Sequence, residues 1–276
     1  MAKTEDPRDA VPPAPSPESL APVVAALAPL RRVIKPKFYG IEHVPKGGAL
    51  LVGNHTLYGV FDLVLLAAEF IERGIVVRGL ADHAHFRIPG HRDLLTTIGA
   101  VPGTRANVRV LMRRGDSIMV FPGGAREVAK RKGERYQLIW KNRLGFAVMA
   151  IEGRYPVIPF ASLGIEDALD IVLDSDNPFM APARILTKKL LNAEPMPIVR
   201  GIGLTPIPRP DRLYFWFGEP ISTLGYGGVA DEDNARELRA RTATAIEGAL
   251  DFLRAEREKD PERSLLKRLT GSSSES

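Results

Sequence analysis

The stretch LLVGNHTLYGVFD, from Leu50 to Asp62, decides how this chain folds. Its apolar run Leu50-Leu51-Val52 stops at Gly53-Asn54-His55, and a second apolar pattern starts at Leu57. A buried strand that ends in a tight turn and hands over to a helix has this signature. A histidine at such a corner stands at the mouth of a sheet. There a ring nitrogen reaches substrate in the neutral form that accepts a proton. His55 is therefore the first candidate for chemistry, and the rest of the chain is read for what it brings to it.

Strand and helix patterns alternate outward from this corner. Strands are expected at 48–52, 75–80, 100–101, 117–121, 157–163 and 213–217. Helices are expected at 57–73 (closed by Gly74), 93–98, 106–114 (capped by Thr104), 145–152 and 231–257. The strands are continuously apolar, as central strands covered on both faces are. The pattern predicts one α/β domain over 38–258, a central mostly parallel or mixed β-sheet flanked by helices. Residues 165–200 break the rhythm with an acidic half (Glu166, Asp167, Asp170, Asp174, Asp176) read as a solvated face, then a basic apolar helix at 183–191; they read as a surface excursion. Residues 1–17 and 259–276 read as a disordered tail and a C-terminal tail. Residues 18–37 form an amphipathic N-terminal helix that Pro29 should kink or split. That helix either lies in an anionic lipid surface or packs on its own domain.

The 276 residues carry a formal charge of +5 and no cysteine. Disulfides, thiolate nucleophiles and cysteine metal sites are thereby excluded. The positive balance suits an anionic partner. Basic residues are not interleaved with aromatics and no nucleic-acid module is present, so a nucleic-acid partner is not expected. The longest apolar runs, 21–30 and 63–70, fall well short of a bilayer span. The N-terminus lacks the basic and apolar regions of a secretory signal. The expected location is cytoplasmic, peripheral on the inner face of a membrane.

No P-loop, H-E-x-x-H or G-x-S-x-G motif is present; the serine nearest to an elbow, Ser162, lacks its first glycine. What remains is His55 with neighbouring acids and several glycine-rich strand ends, which points to general-base chemistry on a bound nucleophile. Phe121, Pro122, Gly123 and Gly124 end a strand with two residues that let backbone approach a carbonyl oxygen or a phosphate. Arg126 adds fixed charge, whereas Lys130-Arg131-Lys132 reads as a solvated basic run. Gly103, Thr104 and Arg105 offer either a second anion site or a plain helix cap. His83 and His85 alternate at strand spacing, so one of them faces the site; a zinc site with His55 lacks any ligand-motif spacing.

Four blocks occur in a fixed order: Gly53-Asn54-His55 with Asp62; Gly99-Ala100-Val101-Pro102-Gly103-Thr104-Arg105; Val120-Phe121-Pro122-Gly123-Gly124-Ala125-Arg126-Glu127; and Val157-Ile158-Pro159-Phe160 with Gly164. In that order they resemble the glycerolipid acyltransferase family (1-acylglycerol-3-phosphate acyltransferase-like) across residues 45–165, and Phe217-Gly218-Glu219-Pro220-Ile221 is similar to the strand that closes such domains. The form FPGGARE and the stretch Asp82-His83-Ala84-His85-Phe86, with Pro89-Gly90 after it, are most similar to the branch holding phytyl ester synthases and type 2 diacylglycerol acyltransferases.

The resemblance implies a glycerol-3-phosphate acyltransferase-like fold and an enzyme. Its reaction moves a fatty acyl group from acyl-CoA or acyl carrier protein to the hydroxyl of a lysophosphatidic acid, a diacylglycerol or another lipid alcohol. It needs no metal and no tightly held cofactor. His55 is implied as the base and Asp62 as its orienter. The substrate-binding set is Gly103, Thr104, Arg105, Phe121, Pro122, Gly123, Gly124, Arg126, Glu127 and His83.

Two departures stand out. The family spaces its pair as H-x4-D and this chain as H-x6-D, about 10 Å of rise on an ideal helix, so contact requires His55 in the preceding turn and a bend at Gly59; Asp82 and Glu127 remain the other orienter candidates. Gly123 replaces the glutamate of FPEGTR, which puts a neutral alcohol or diacylglycerol on a par with lysophosphatidic acid as the expected acceptor. The rival reading is a catalytically inactive lipid-binding protein on the same scaffold.

Overall fold

Leu50, Leu51 and Val52 are all fully buried, and period-two alternation sends them to opposite faces of one sheet. Leu50 and Val52 join Ile118, Val157, Trp140, Phe146, Ile151, Leu238 and Ile246 on one side. Leu51 joins Met119, Ile158, Phe160, Leu65, Leu66, Phe70 and Phe215 on the other. An uninterrupted apolar run thus serves a strand whose two faces are both covered.

The computed structural model describes residues 11–87, 90–191 and 195–270. In chain order its elements are α1 (Pro17–Ile34), β1 (Lys37–Tyr39), β2 (Leu50–Gly53), α2 (Phe61–Glu72), β3 (Val77–Ala81), α3 (His83–Phe86), α4 (His91–Thr97), β4 (Val101–Pro102), α5 (Arg105–Arg114), β5 (Ser117–Val120), α6 (Gly124–Val128), α7 (Gly145–Glu152) and β6 (Val157–Leu163). There follow α8 (Ile165–Ala168), β7 (Asp170–Leu173), α9 (Ala181–Leu191), β8 (Ile198–Arg200), β9 (Tyr214–Phe217), α10 (Glu232–Lys259) and α11 (Leu265–Thr270). The main sheet has the order β1-β9-β6-β2-β5-β3-β4, with β7 and β8 forming a separate ribbon. β2 runs parallel to β5 (Leu50↔Ile118) and to β6 (Leu50↔Val157), and β9 is antiparallel to β6 (Phe160↔Phe217). The α/β class with a mostly parallel sheet between helices is therefore the architecture observed. The chain leaves β2 toward β3, β4 and β5 on one side and toward β6 on the other. The carboxyl end of β2 is thus a topological switch point, where open α/β sheets present a crevice.

Several expectations are corrected. α1 continues through Pro22 and Pro29 to Ile34. Its last turn is held from outside, since Arg31 bonds Glu69 of α2 at 2.7 Å and also pairs with Glu72. Ser16 caps α1 at Pro17, and the Pro12 carbonyl accepts from Arg78 at 3.0 Å, so residues 11–17 belong to the packed domain. So does the chain after 259, because Arg268 of α11 is buried and donates to the carbonyls of Val33, Glu262 and Arg263. The stretch after Asp82 is a helical turn, α3, and not a strand; Asp82 caps it by accepting from the Ala84 N–H at 2.8 Å. The acidic half of the excursion is neutralised from within. Lys130 meets Glu166 at 2.6 Å, Arg209 meets Asp170 at 2.9 Å, and Arg257 pairs with Asp167. Residues 1–10, Pro89 and the SSSES end lie outside the described residues.

Candidate active site

β2 is locked to β6 just where the turn begins. The Asn54 side chain donates to the Ser162 carbonyl at 3.0 Å and accepts from the Ser162 N–H at 2.9 Å, continuing the ladder one step beyond the strand. His55 follows, half-buried. Its ring stacks on Phe121, the first residue after β5, with centroids 4.1 Å apart. Its other side meets Gly59. A Cβ there would lie 2.2 Å from His55 Cε1, and Gly59 has φ +57°, so both space and backbone require glycine. Tyr58, also left-handed at φ +64°, completes the bend before α2. The imidazole is thus clamped between an aromatic ring and a bare backbone.

The bend brings Asp62 back, but not to the histidine. Asp62 is fully buried, and its two oxygens accept from Thr56 Oγ1 at 2.9 Å and Ser162 Oγ at 2.6 Å. His55 Nδ1 is buried with no hydrogen-bond partner. The expected histidine–aspartate bond is therefore replaced by one in which two hydroxyls occupy the carboxylate, and Asp62 braces the turn. Burial pushes the Asp62 carboxyl up, while the Ser162 and Thr56 hydroxyls draw it down. Thr56 and Ser162 are site-bracing residues that sequence reasoning missed. Nothing local marks Ser162, which lies a hundred positions from the carboxylate it holds.

Burial, then the Lys130 charge, pushes the His55 ring down to about 3, so the imidazole is neutral at physiological pH. Glu127 lies against the same residue. Its carboxyl accepts from the Ile139 N–H at 3.3 Å, the nearby backbone N–H of His55 draws its titration down, and its Oε2 is buried without a partner. Burial raises it to about 7, against the pull of Lys130 and these amides. Lys130 and Glu166 behind it are both almost wholly buried. Lys130 therefore belongs to the site's buried charge system, correcting its reading as a solvated lysine. Its run KRK looks like any surface helix, and Glu166 is too distant in sequence to betray it.

The glycines of FPGG serve a different purpose from the one expected. A Cβ on Gly123 would lie 2.0 Å from Glu127 Oε2, so its side-chain space holds the protein's own carboxyl. Gly124 gives its N–H to the Phe121 carbonyl at 3.0 Å, while Arg143 donates to the carbonyls of Pro122 and Gly123 at 2.8 and 2.7 Å. Arg126 is likewise committed, to Glu134 and to the Ala129 carbonyl at 3.2 Å, and is not aimed at a free anion. Arg143 had no signal in the sequence beyond being a cation in the loop after Trp140.

The remaining candidates lie along the same edge of the sheet without meeting His55. β3 and β4 stand two and three strands from β2, or about 10 and 14 Å at ordinary strand spacing. His83 is exposed on α3 after β3, and His85 stacks edge-on against His91 instead of facing His55. After β4, Gly103 donates to the Ala81 carbonyl and Thr104 accepts from the Asn107 N–H at 3.1 Å, so Thr104 is the helix cap; Arg105 is exposed. Among the described residues no three His, Asp or Glu side chains converge on a metal position.

A half-buried imidazole at a switch point, clamped between Phe121 and the Gly59 turn, is an arrangement that can take a proton from a hydroxyl. The acyltransferase family model matches residues 35–163. Phytyl ester synthase 2, chloroplastic, of Arabidopsis thaliana is 32% identical over 251 residues, covering 83% of this chain and 36% of that protein. The mouse (Mus musculus) DGAT1/2-independent enzyme synthesizing storage lipids is 36% identical over 129 residues, covering 47% and 39%. The chain thus spans little more than a third of these relatives' length. The crystal structure of the 1-acyl-sn-glycerophosphate acyltransferase from Thermotoga maritima superposes with TM-score 0.49 at 13% identity, covering 84% of this chain and 80% of that one. The four ordered blocks, the matching family model and the relatives together place this chain in the glycerolipid acyltransferase family.

Proposed function

We propose that this chain is an O-acyltransferase that esterifies a neutral lipid alcohol from an acyl thioester, with His55 as general base. The observation that carries this reading is the His55 ring, clamped between Phe121 and Gly59 at the carboxyl end of the central strand. The imidazole takes the hydroxyl proton as the oxygen attacks the thioester carbonyl. The C–S bond then breaks and the departing sulfur recovers the proton from the imidazolium. The thioester belongs to coenzyme A or to an acyl carrier protein. A neutral acceptor is favoured over a lysophosphatidic acid because Arg126, the cation nearest the FPGG turn in sequence, is paired with Glu134, and because Gly123 stands where FPEGTR carries a glutamate. The relatives named for phytyl esters and storage lipids point the same way. Diacylglycerol and isoprenoid alcohols are the acceptors to try first.

Among the described residues no helix is long and apolar enough to cross a membrane. The proposed location is peripheral, on the cytoplasmic face of an anionic membrane. The test is thiol release from a long-chain acyl-CoA with each candidate alcohol, alongside mass spectrometry of lipids from cells overproducing the protein. His55→Ala should lose at least about a hundredfold in rate at an unchanged melting temperature. Full activity in that variant would end the proposal.

A further inference from the structure

The segment between β7 and β8 is fastened to the catalytic turn. Tyr58, three residues beyond His55, donates its hydroxyl to the Pro197 carbonyl at 2.8 Å, just before β8 begins. On the β7 side, the Lys132 N–H donates to Asp174 at 2.9 Å and its ammonium to the Val172 carbonyl at 3.0 Å. The segment that carries the helical turn Pro178–Met180 and α9 is therefore tied at one end to the catalytic turn and at the other to Lys132.

That element presents large apolar side chains to the outside. Phe179 is 88% exposed, Ile185 67% and Leu186 56%. Phe179 lies on the helical turn that leads into α9, and Ile185 and Leu186 follow on α9 itself, so the three form one short exposed apolar stretch. Ile198 and Val60, which flank the Tyr58–Pro197 tether, are exposed as well.

The charge around this stretch is one-sided. The described acidic residues of the excursion are engaged by the domain, Asp176 by Arg131 at 2.9 Å and the others as described above. Among the described residues, Arg184 and Lys189 of α9 have no ion-pair partner. An exposed apolar stretch with unpaired cations and, among the described residues, no unengaged carboxylate matches the interface of an anionic bilayer: hydrocarbon below, phosphate at headgroup level.

Two other surfaces compete and fall short. On α1, Leu20 and Ile34 face the domain and Arg31 is tied to α2. The loop holding Leu204 sits at the opposite end of the β7–β8 ribbon, where Arg209 is neutralised by Asp170 and no bond reaches the catalytic turn.

We propose that Phe179, Ile185 and Leu186 insert into an anionic bilayer with Arg184 and Lys189 at its headgroups, so that the acceptor lipid enters beside His55. The inference rests on the lipid acyltransfer proposed above for the source of the acceptor, but its test is independent. Flotation with vesicles of phosphatidylcholine, alone or mixed with phosphatidylglycerol, reads binding directly. The triple variant F179S/I185S/L186S should lose about a hundredfold in partition onto mixed vesicles, since three large side chains no longer leave water. R184Q/K189Q should lose about tenfold on mixed vesicles and nothing on pure phosphatidylcholine. V23S/L30S, on α1, should bind as the natural chain does. Circular dichroism and melting temperature confirm that each variant is folded.

Unchanged binding by the triple variant, or loss of binding by the α1 variant instead, overturns the proposal. So does a triple variant that loses self-association and keeps its vesicle binding, which would assign the face to a second copy of the chain. His55→Ala should float like the natural chain. Thiol release with a water-soluble alcohol should be unaffected in the triple variant. Vesicle binding that depends on this stretch, with no turnover on any alcohol, would leave the docking face standing and remove the acyltransfer.

Discussion

Glu127→Gln tests the buried charge system behind His55. The carboxyl is fully buried, lies near the His55 backbone N–H, and is raised from 4.5 to about 7 chiefly by burial. A group whose folded value lies above its unfolded value binds its proton more tightly when folded. Its contribution is therefore fully present below about 4.5 and is lost as pH rises through about 7. Glutamine is a neutral isostere of the protonated acid. At pH 5 the two proteins should be close in stability. By pH 8 the natural chain bears the cost of ionising Glu127 and the variant does not, a gap corresponding to about 2 to 3 kcal/mol.

The assay is urea unfolding of both proteins across that range, with the slope on denaturant checked for constancy. Glu127→Gln should gain on the natural chain steadily as pH rises. Parallel stability curves would refute the reasoning, because they would mean that Glu127 titrates alike in folded and unfolded chains. The same variant bears on rate. An ionised Glu127 near the ring favours the imidazolium, so the natural enzyme should speed up as pH passes 7, and Glu127→Gln should lose that rise.

Two further substitutions probe the clamp and the ion pair. Gly59→Ala would put a methyl 2.2 Å from His55 Cε1 at φ +57°, and the ring displacement should slow thiol release by about a hundredfold while the fold is kept; natural turnover in this variant would contradict the clamp. Lys130→Met would leave the buried Glu166 carboxylate unpaired and should cost about 3 to 5 kcal/mol of unfolding free energy. That loss should shrink as pH falls and Glu166 takes up a proton, and adding Glu166→Leu should restore much of it; a loss under about 1 kcal/mol would refute the buried-pair assignment.

Where sequence legibility ended follows from the range of the contacts involved. β6 and α7 were readable to the residue because an apolar run and a helical period are local properties, and Thr104 was recognisable as a cap because its acceptor role spans three residues. The turn at Gly53-Asn54-His55 was readable for the same reason. The role of Asp62 was not, since Ser162 competes for it from a hundred positions away. Lys130 looked solvated because its partner lies in α8, and residues 259–270 looked like a tail because what fastens Arg268 is the Val33 carbonyl at the other end of the chain. Pro29 was weighed by its lost hydrogen bond alone, whereas Arg31 on α2 keeps the turn beyond it in place.

The departure of FPGGARE from FPEGTR follows from one of these long-range arrangements. A side chain at 123 would begin 2.0 Å from Glu127 Oε2, so acids at 123 and 127 exclude each other in this geometry. An acid at 123 would start from the turn itself. The acid at 127 is folded beneath it, bonded to the amide of Ile139, near that of His55, and backed by Lys130 and Glu166. The carboxyl is thereby moved from the substrate side of the turn to its inner side. There it meets the backbone of His55 and the charge of Lys130. Arg126 makes the matching move, turning to Glu134. With acid and base of the motif both directed inward, the mouth holds the His55 ring, Phe121 and backbone, and the proposed acceptor is an uncharged alcohol for that reason. Gly123→Glu together with Glu127→Gly, which also removes the Glu127 Cβ 2.6 Å from the new side chain, should return a carboxyl to the turn itself and impair the neutral acceptor; unchanged rates would show that the position of this acid has no bearing on acceptor choice.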